Sequence, residues 1–229
     1  MSETSTPVPR KGTAETTTTR TTSPVAIAFR IMGLRADDEA AIHQAAALLV
    51  DGFREHWPGA WPTLAAALEE VRESLQAGRL SRVAVGADGT VLGWVGGIPQ
   101  YGGRVWELHP LVVASAARRR GIGRALVADL EALARERGGI TLWVGSDDEA
   151  GLTSLSGVDL YDHLPQRLAT IRNLGGHPYE FYQRLGFVIV GVMPDANGFG
   201  KPDILLAKRI GGNPLAGAAS AKRATGAAP

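Results

Sequence analysis

The most informative segment of the chain is Arg118-Arg119-Arg120-Gly121-Ile122-Gly123-Arg124-Ala125, which lies between a predicted strand and a predicted helix. Its two glycines let backbone N–H groups approach an anion closely, and the start of the following helix carries positive partial charge. We therefore expect a pyrophosphate to bind here. Two other phosphate loops are excluded, because Leu126 stands where a dinucleotide loop needs Gly or Ala, and no Gly-Lys-Ser/Thr ending is present. A solvated basic loop before an amphipathic helix is the alternative.

Around this segment, the apolar pattern predicts alternating strands and helices. Strands are predicted at residues 25–32, 81–87, 90–98, 106–113, 140–146, 187–193 and 203–210, and helices at residues 37–53, 61–78, 121–137 and 178–185, with a short helix opened by Pro165. Asp88-Gly89 predicts a hairpin turn. The strand–helix–strand order over residues 106–146 predicts two parallel neighbours. The predicted class is α/β with a mixed sheet and a polar insertion at residues 147–176.

The two ends of the chain differ in composition from its middle. Ser and Thr make up twelve of the first 24 residues, and the last 19 residues contain seven Ala and four Gly. Such segments bury too little apolar surface to offset the entropy of ordering them. We expect disordered tails at residues 1–24 and 211–229 and one domain at residues 25–210. A transit peptide at the N-terminus is the alternative.

Charge and residue usage exclude several classes of protein. The formal net charge of +1 at pH 7 offers no basic excess for nucleic acid or a membrane surface. No segment approaches the apolar length of a membrane span. The absence of cysteine excludes disulfides, thiolate metal ligands and a cysteine nucleophile. We predict a cytoplasmic protein without a metal site.

Three features follow one another in a recognisable order. They are the apolar strand Leu111-Val112-Val113, the loop with Arg118, Gly121 and Gly123, and the segment Phe181-Tyr182-Gln183-Arg184-Leu185-Gly186-Phe187. This order resembles the GCN5-related N-acetyltransferases (GNAT), whose acetyl-CoA loop is Gln/Arg-x-x-Gly-x-Gly/Ala. The resemblance covers nearly all of residues 25–210 and implies a mixed central sheet with helices on both faces. It implies that acetyl-CoA is bound by Leu111, Val112, Val113, Arg118, Arg119, Arg120, Gly121, Ile122, Gly123, Arg124, Ala125 and Tyr182.

Five further blocks support a narrower resemblance. They are Glu107-Leu108-His109-Pro110-Leu111-Val112-Val113, Gly145-Ser146-Asp147-Asp148-Glu149, Thr153-Ser154-Leu155-Ser156, His177-Pro178-Tyr179-Glu180-Phe181-Tyr182 and Pro194-Asp195-Ala196-Asn197-Gly198. Together they look like the aminoglycoside 6′-N-acetyltransferases, from which the chain departs at Ser146, where we expect Thr. The resemblance implies direct transfer of an acetyl group from acetyl-CoA to the 6′-amine of an aminoglycoside antibiotic, giving resistance, and a homodimer.

Attack of an amine on a thioester makes three demands on a site. It needs a group that takes the ammonium proton, donors for the carbonyl oxygen and an acid for the departing thiolate. Strand alternation is expected to put Glu107, His109, Leu111 and Val113 on one face. We predict Glu107, acting through water, as the base, with His109 beside it. The alternatives are an ion pair of Glu107 with an arginine and a hydrogen-bonded core histidine.

The resemblance implies roles for the rest of the reacting centre. The main-chain N–H of Leu111 would polarise the thioester carbonyl, and Val113 would hold the pantetheine through main-chain bonds. Tyr182 would protonate the thiolate. The alternative for Tyr182 is a packed aromatic side chain with a satisfied hydroxyl.

Charge is distributed unevenly between the two predicted substrates. Residues 147–203 contain eight acidic and four basic side chains, whereas the basic cluster lies at the glycine loop. This division suits an anionic nucleotide cosubstrate and a polycationic small-molecule amine. The predicted acceptor-binding residues are Trp57, Glu107, Asp147, Asp148 and Glu149, to which the resemblance adds Asp159. A solvated turn at Asp148-Glu149, and ordinary packing or a dimer contact for Trp57, are the alternatives.

Two other functions fit the same residues. One is acetylation of another cationic amine, such as a polyamine or a protein N-terminus. The other is a catalytically silent module that binds acetyl-CoA. The presence of Glu107, His109 and Tyr182 argues against the silent module, because such a module has no need to keep all three.

Overall fold

The computed structural model describes Met1 and residues 28–212. The two predicted tails therefore lie outside the described residues, apart from Met1, Gly211 and Gly212. Between residues 28 and 212 no helix has the length and apolar character that crossing a membrane requires.

Strands and helices alternate along the described chain as the apolar pattern predicts. The strands are β1 (Phe29–Gly33), β2 (Leu80–Gly86), β3 (Val91–Gln100), β4 (Val105–Val113), β5 (Thr141–Asp147), β6 (Val188–Met193) and β7 (Asp203–Arg209). The helices are α1 (Glu39–Phe53), α2 (Leu64–Glu73), α3 (Ile122–Glu136), α4 (Leu164–Ala169) and α5 (Tyr179–Arg184). Side-chain caps fix the starts of the first two helices, where Asp38 accepts from the Ala41 N–H and Thr63 from the Ala66 N–H.

The strands form one mixed sheet in the order β1-β2-β3-β4-β5-β7-β6, which confirms the predicted α/β class. The β2–β3 hairpin turns at Asp88-Gly89, as expected. The predicted parallel pair is β4 and β5, but these strands pair only from Val105 opposite Thr141 to Glu107 opposite Trp143. Beyond this point they separate. The sheet is therefore open in its middle, between two strands of the same direction.

Helices cover both faces of the sheet. On one face, α1 and α2 bury Ile42, Leu49 and Val71 against Trp94 and Val112. On the other face, α3 buries its apolar stripe in a second cluster with side chains of β4, β5 and β7. Burying these side chains supplies about 1.5 to 3 kcal/mol each toward folding. The two clusters pack against opposite faces of the sheet.

A bulge in β4 changes which face its residues occupy. The pairing with β3 shifts between Val95 opposite Leu111 and Gly97 opposite Leu108. Leu108 therefore packs in the same cluster as Leu111, although three residues separate them, while Val112 packs in the cluster on the other face. The predicted alternation of Glu107, His109, Leu111 and Val113 on one face is wrong, because the extra residue reverses the alternation between residues 108 and 111.

Candidate active site

A groove of about 1030 Å³ opens where β4 and β5 separate. Its walls come from the α1–α2 loop, β4, the start of α3, the end of β5 and α5. The predicted site residues on these walls are Trp57, His109, Leu111, Val112, Val113, Arg118, Arg119, Gly121, Ile122, Gly123, Arg124, Asp147, Glu149 and Tyr182. Five predicted residues lie outside the groove wall: Glu107, Arg120, Ala125, Asp148 and Asp159.

One end of the groove has the chemistry of an anion site. Gly121 is the N-cap of α3 and has a φ of 86°, a conformation that glycine adopts without strain. The first intrahelical bond runs from the Ala125 N–H to the Gly121 carbonyl, so the N–H groups just before Ala125 point out of the helix. Arg118, Arg119 and Arg124 border the same surface. Amide donors, a helix N-terminus and arginines fit the pyrophosphate of acetyl-CoA.

Tyr182 lies on α5 at the inner side of the groove. Its ring packs edge-on against Phe181 and Phe187 at centroid distances of 5.2 and 5.7 Å. Burial raises the pKa of the Tyr182 hydroxyl well above its ordinary value. The hydroxyl is therefore protonated at neutral pH.

Glu107 lies behind the groove wall. Its carboxylate accepts a 2.6 Å hydrogen bond from Gln100 Nε2. Burial raises the pKa of Glu107, while the charges of His109 and Arg79 oppose this shift. His109 itself lines the groove, and its Nε2 lies 3.9 Å from Glu70 Oε1.

The other end of the groove is aromatic and acidic. The Trp57 Nε1–H donates to the main-chain oxygen of Asp147 at 3.1 Å, which fixes the α1–α2 loop to the end of β5. Phe53 packs edge-on against Trp57 and Trp61. Asp147 Oδ1 accepts from Asn197 Nδ2 at 2.6 Å, so the carboxylate is held in place with oxygen sites left for an acceptor ammonium.

Two of the predicted acceptor carboxylates have structural partners instead. Asp148 is fully buried and accepts from the Leu152 N–H, the Thr153 N–H and the Thr153 hydroxyl. These bonds shape the loop after β5. Asp159 is exposed and accepts from the Tyr161 N–H in a turn. Neither residue lies on the groove wall, and their role in binding the acceptor stays a prediction.

Asp203 adds a buried carboxylate next to this end of the groove. It lies opposite Asp147 in the β5–β7 ladder, and its Oδ1 is buried without a hydrogen-bond partner. A Cβ on Gly145 would lie only 2.5 Å from Asp203 Oδ2, so an alanine at position 145 would force the Asp203 side chain to move. Burial, followed by repulsion from Asp147, raises the pKa of Asp203 to about 6.

Sequence reasoning missed three residues of this site. Glu70 lines the groove from α2, Asn197 holds Asp147, and His177 lies buried between β5 and α5. Glu70 did carry a signal, because it lies three residues after the buried Ala67 and one before the buried Val71, on the apolar side of an amphipathic helix. Asn197 and His177 belong to two of the five sequence blocks quoted above, but their contacts with Asp147 join distant segments, and no local pattern reports these contacts.

Comparisons with known proteins agree with this geometry. Residues 44–152 match the model of the acetyltransferase (GNAT) family. A crystal structure of an aminoglycoside 6′-N-acetyltransferase complexed with coenzyme A is 42% identical, with a TM-score of 0.74, and the match covers 81% of this chain and 99% of that one. The aminoglycoside 6′-N-acetyltransferase from Enterococcus faecium is 43% identical over the same shares, with a TM-score of 0.72. A search of curated proteins found no match. The chain belongs to the GNAT family and is an acetyl-CoA-dependent N-acetyltransferase.

Proposed function

We propose that this enzyme transfers an acetyl group from acetyl-CoA to the 6′-amine of an aminoglycoside antibiotic and so confers resistance. The observation that carries the proposal is that the groove has a basic and an acidic part. The chain is also 42% identical to such an enzyme. Arginines and free amides border one end, and tryptophans and carboxylates border the other. A polycationic sugar and an anionic nucleotide are each attracted to a different end.

The transfer requires one bond to form and one to break. The amine nitrogen forms a bond to the acetyl carbon, and the bond from that carbon to sulfur breaks. Acetyl-CoA supplies the thioester. The main-chain N–H of Leu111, on the groove wall, is the donor for the carbonyl oxygen. The Tyr182 hydroxyl gives its proton to the sulfur.

Glu107 receives the proton that the amine loses. Because it lies behind the wall, it acts through His109 or through a water held beside His109. Its raised pKa makes it a stronger base than an exposed carboxylate. Asp147 and Glu149 bind other ammonium groups of the acceptor, and Trp57 packs against its sugar rings.

A thiol-release assay tests the proposal. Purified enzyme receives acetyl-CoA with kanamycin, with an analogue bearing a hydroxyl in place of the 6′-amine, or with spermidine. We expect release with kanamycin and none with the analogue, since the hydroxyl removes the attacking nitrogen. Expression in a susceptible strain should raise the inhibitory concentration of kanamycin but not that of the analogue.

Other results would support the alternative functions. Release with spermidine alone would indicate acetylation of another cationic amine. Tight binding of acetyl-CoA with no release from any amine would indicate the silent module. Either outcome would leave the family assignment unchanged and would overturn the proposal that the acceptor is an aminoglycoside.

We also propose a homodimer in the cytoplasm. Support for the dimer comes from β6, an edge strand that exposes Val188, Val190 and Met193. An exposed apolar edge strand pairs readily with a second chain. The need for acetyl-CoA, a cytoplasmic metabolite, supports the location.

A further inference from the structure

The main-chain oxygen of Asp147 accepts hydrogen bonds from side chains of two different segments. Trp57 Nε1, from the α1–α2 loop, donates at 3.1 Å, and His177 Nε2, from the segment before α5, lies at 3.0 Å. A carbonyl oxygen has two lone pairs, so these two bonds saturate it. The oxygen at the end of β5 therefore joins the acceptor loop to the helix of Tyr182.

The second contact of His177 defines which ring nitrogen carries the proton. Nδ1 accepts from the Tyr179 N–H at 3.2 Å, so in the neutral ring the proton is on Nε2, which donates to the Asp147 oxygen. The residue is 1% exposed. Burial lowers the pKa of His177, against the opposing charges of Asp148 and Asp147, so the ring stays neutral near pH 7.

The backbone of His177 is fixed as firmly as its ring. Asn173 Nδ2 donates to the His177 carbonyl at 2.9 Å, and Asn173 Oδ1 accepts from the N–H groups of Gly176 and His177 at 2.8 Å each. Helix α5 begins two residues later at Tyr179 and carries Tyr182. A shift of the His177 ring would therefore move β5 relative to α5.

We propose that His177 is a positioning residue for the acceptor. It holds the end of β5 so that the Asp147 carboxylate and the Trp57 ring present the amine in line with Tyr182. This inference rests on the proposed function for the identity of the acceptor. An error of about 1 Å in such an alignment can lower a rate by as much as about 100-fold, although the residue touches neither substrate.

Two substitutions separate the two hydrogen bonds of the ring. In His177→Gln, the side-chain amide reaches the place of Nε2 and can still donate to the Asp147 oxygen. In His177→Asn, the side-chain oxygen takes the place of Nδ1 and accepts from Tyr179, while the bond to Asp147 is lost. The exposed His163, outside the groove, supplies the matched controls His163→Gln and His163→Asn.

Steady-state kinetics with kanamycin and acetyl-CoA give the first readout. We expect His177→Asn to lower kcat/KM for kanamycin about tenfold, the effect of one buried hydrogen bond, and to leave the KM for acetyl-CoA unchanged. We expect His177→Gln to keep both constants within about threefold of the wild type. Equal effects of the two variants on both constants, in step with their melting temperatures, would reduce His177 to a packing residue and overturn the proposal.

The second readout needs no acceptor. Nitrogen-15 NMR of the imidazoles should show the Nε2–H form of His177 at pH 7, and the Trp57 indole N–H signal should move in His177→Asn but not in His177→Gln. An Nδ1–H form, or an unmoved Trp57 signal in both variants, would overturn the proposal. If the wild type shows these signals but does not acetylate kanamycin, the proposed acceptor is wrong, while the hydrogen bond from His177 to Asp147 is confirmed. The kinetics of the His177 variants are then measured with the amine that the enzyme does acetylate.

Discussion

In the proposed mechanism Glu107 acts through a neighbour, because His109 and not Glu107 borders the groove. Glu107→Gln removes the proton acceptor and keeps the shape of the side chain. We expect kcat/KM for the amine to fall about 100-fold or more, mainly at pH values where the amine is protonated. In the wild type, the acidic limb of the pH profile should lie above the ordinary pKa of a glutamate, since burial raises the pKa of Glu107.

A pH profile of kcat/KM checks this expectation. Glu69→Gln, an exposed neighbour of Glu70 on α2, is the control and should leave the profile unchanged. If Glu107→Gln lowered the rate by the same factor at every pH, Glu107 would not be the base.

Tyr182 offers a test that separates chemistry from packing. Tyr182→Phe deletes one oxygen and keeps the ring contacts with Phe181 and Phe187. We expect kcat to fall about 100-fold while the Kd for acetyl-CoA, measured by calorimetry, changes little. Weaker acetyl-CoA binding at an unchanged kcat would assign Tyr182 a packing role.

The raised pKa of Asp203 predicts that the free energy of unfolding depends on pH. Its pKa is about 6 in the folded chain and 3.8 in the reference state, so its protonated form stabilises the fold. This contribution is complete below the unfolded pKa and is lost as the pH rises through about 6. Asp203→Asn removes the ionisation. We expect the variant to gain about 2 kcal/mol relative to the wild type between about pH 4.5 and about pH 7.5.

Urea unfolding of both proteins at the two pH values measures this gain. Asp159→Asn, at an exposed turn, is the control and should show no such change. A difference between Asp203→Asn and the wild type that does not vary with pH would show that Asp203 keeps an ordinary pKa.

At the scale of elements, the bulge in β4 is what separates Glu107 from Leu111. It depends on Gly96, because a Cβ at this position would overlap the carbonyl oxygen of His109. We expect Gly96→Ala to lower the free energy of unfolding by about 1 to 3 kcal/mol and to lower kcat, since His109 has to shift. Denaturant unfolding and steady-state kinetics measure the two effects.

Another strand glycine gives the matched control. A Cβ on Gly191 in β6 would approach Leu205 Cδ1 no closer than 3.9 Å, so Gly191→Ala should keep both stability and activity. Equal stability of the two variants would mean that β4 adapts to an alanine at position 96 without moving His109.

The same bulge marks the limit of prediction from sequence. Apolar periodicity places α3 (Ile122–Glu136) within one residue of its prediction at each end, whereas α2 (Leu64–Glu73) begins three residues later and ends five residues earlier than predicted. The parallel pair β4 and β5 follows from chain order. The bulge depends on the contact between Gly96 and His109 across two strands, and no repeat in β4 alone reports it. The loop of residues 118–125 was predictable because its signal is local, whereas the contact of the His177 ring with Asp147 spans 30 residues and was not predicted.

At the scale of the whole molecule, the groove lies where the sheet opens between β4 and β5. The β4–β5 pairing ends at Glu107 and Trp143, and the two clusters on opposite faces hold the strands apart from there on. At one side the sheet ends in β6, which is an edge strand.

That edge leads to a prediction about assembly. Val188, Val190 and Met193 in β6 are 62%, 61% and 55% exposed, and an apolar edge strand left in water favours pairing with a second copy. A chain of 24.1 kDa should therefore sediment as a dimer.

A lysine on the edge would have to be buried in that contact, so Val190→Lys should sediment as a monomer while keeping its melting temperature and its acetyl-CoA binding. Ile140→Lys, at an exposed apolar residue before β5, should remain a dimer. Sedimentation velocity at several concentrations measures the assembly. If the wild type sediments as a monomer at every concentration, the chain does not form this dimer. If Val190→Lys still sediments as a dimer, the contact between the two copies lies elsewhere.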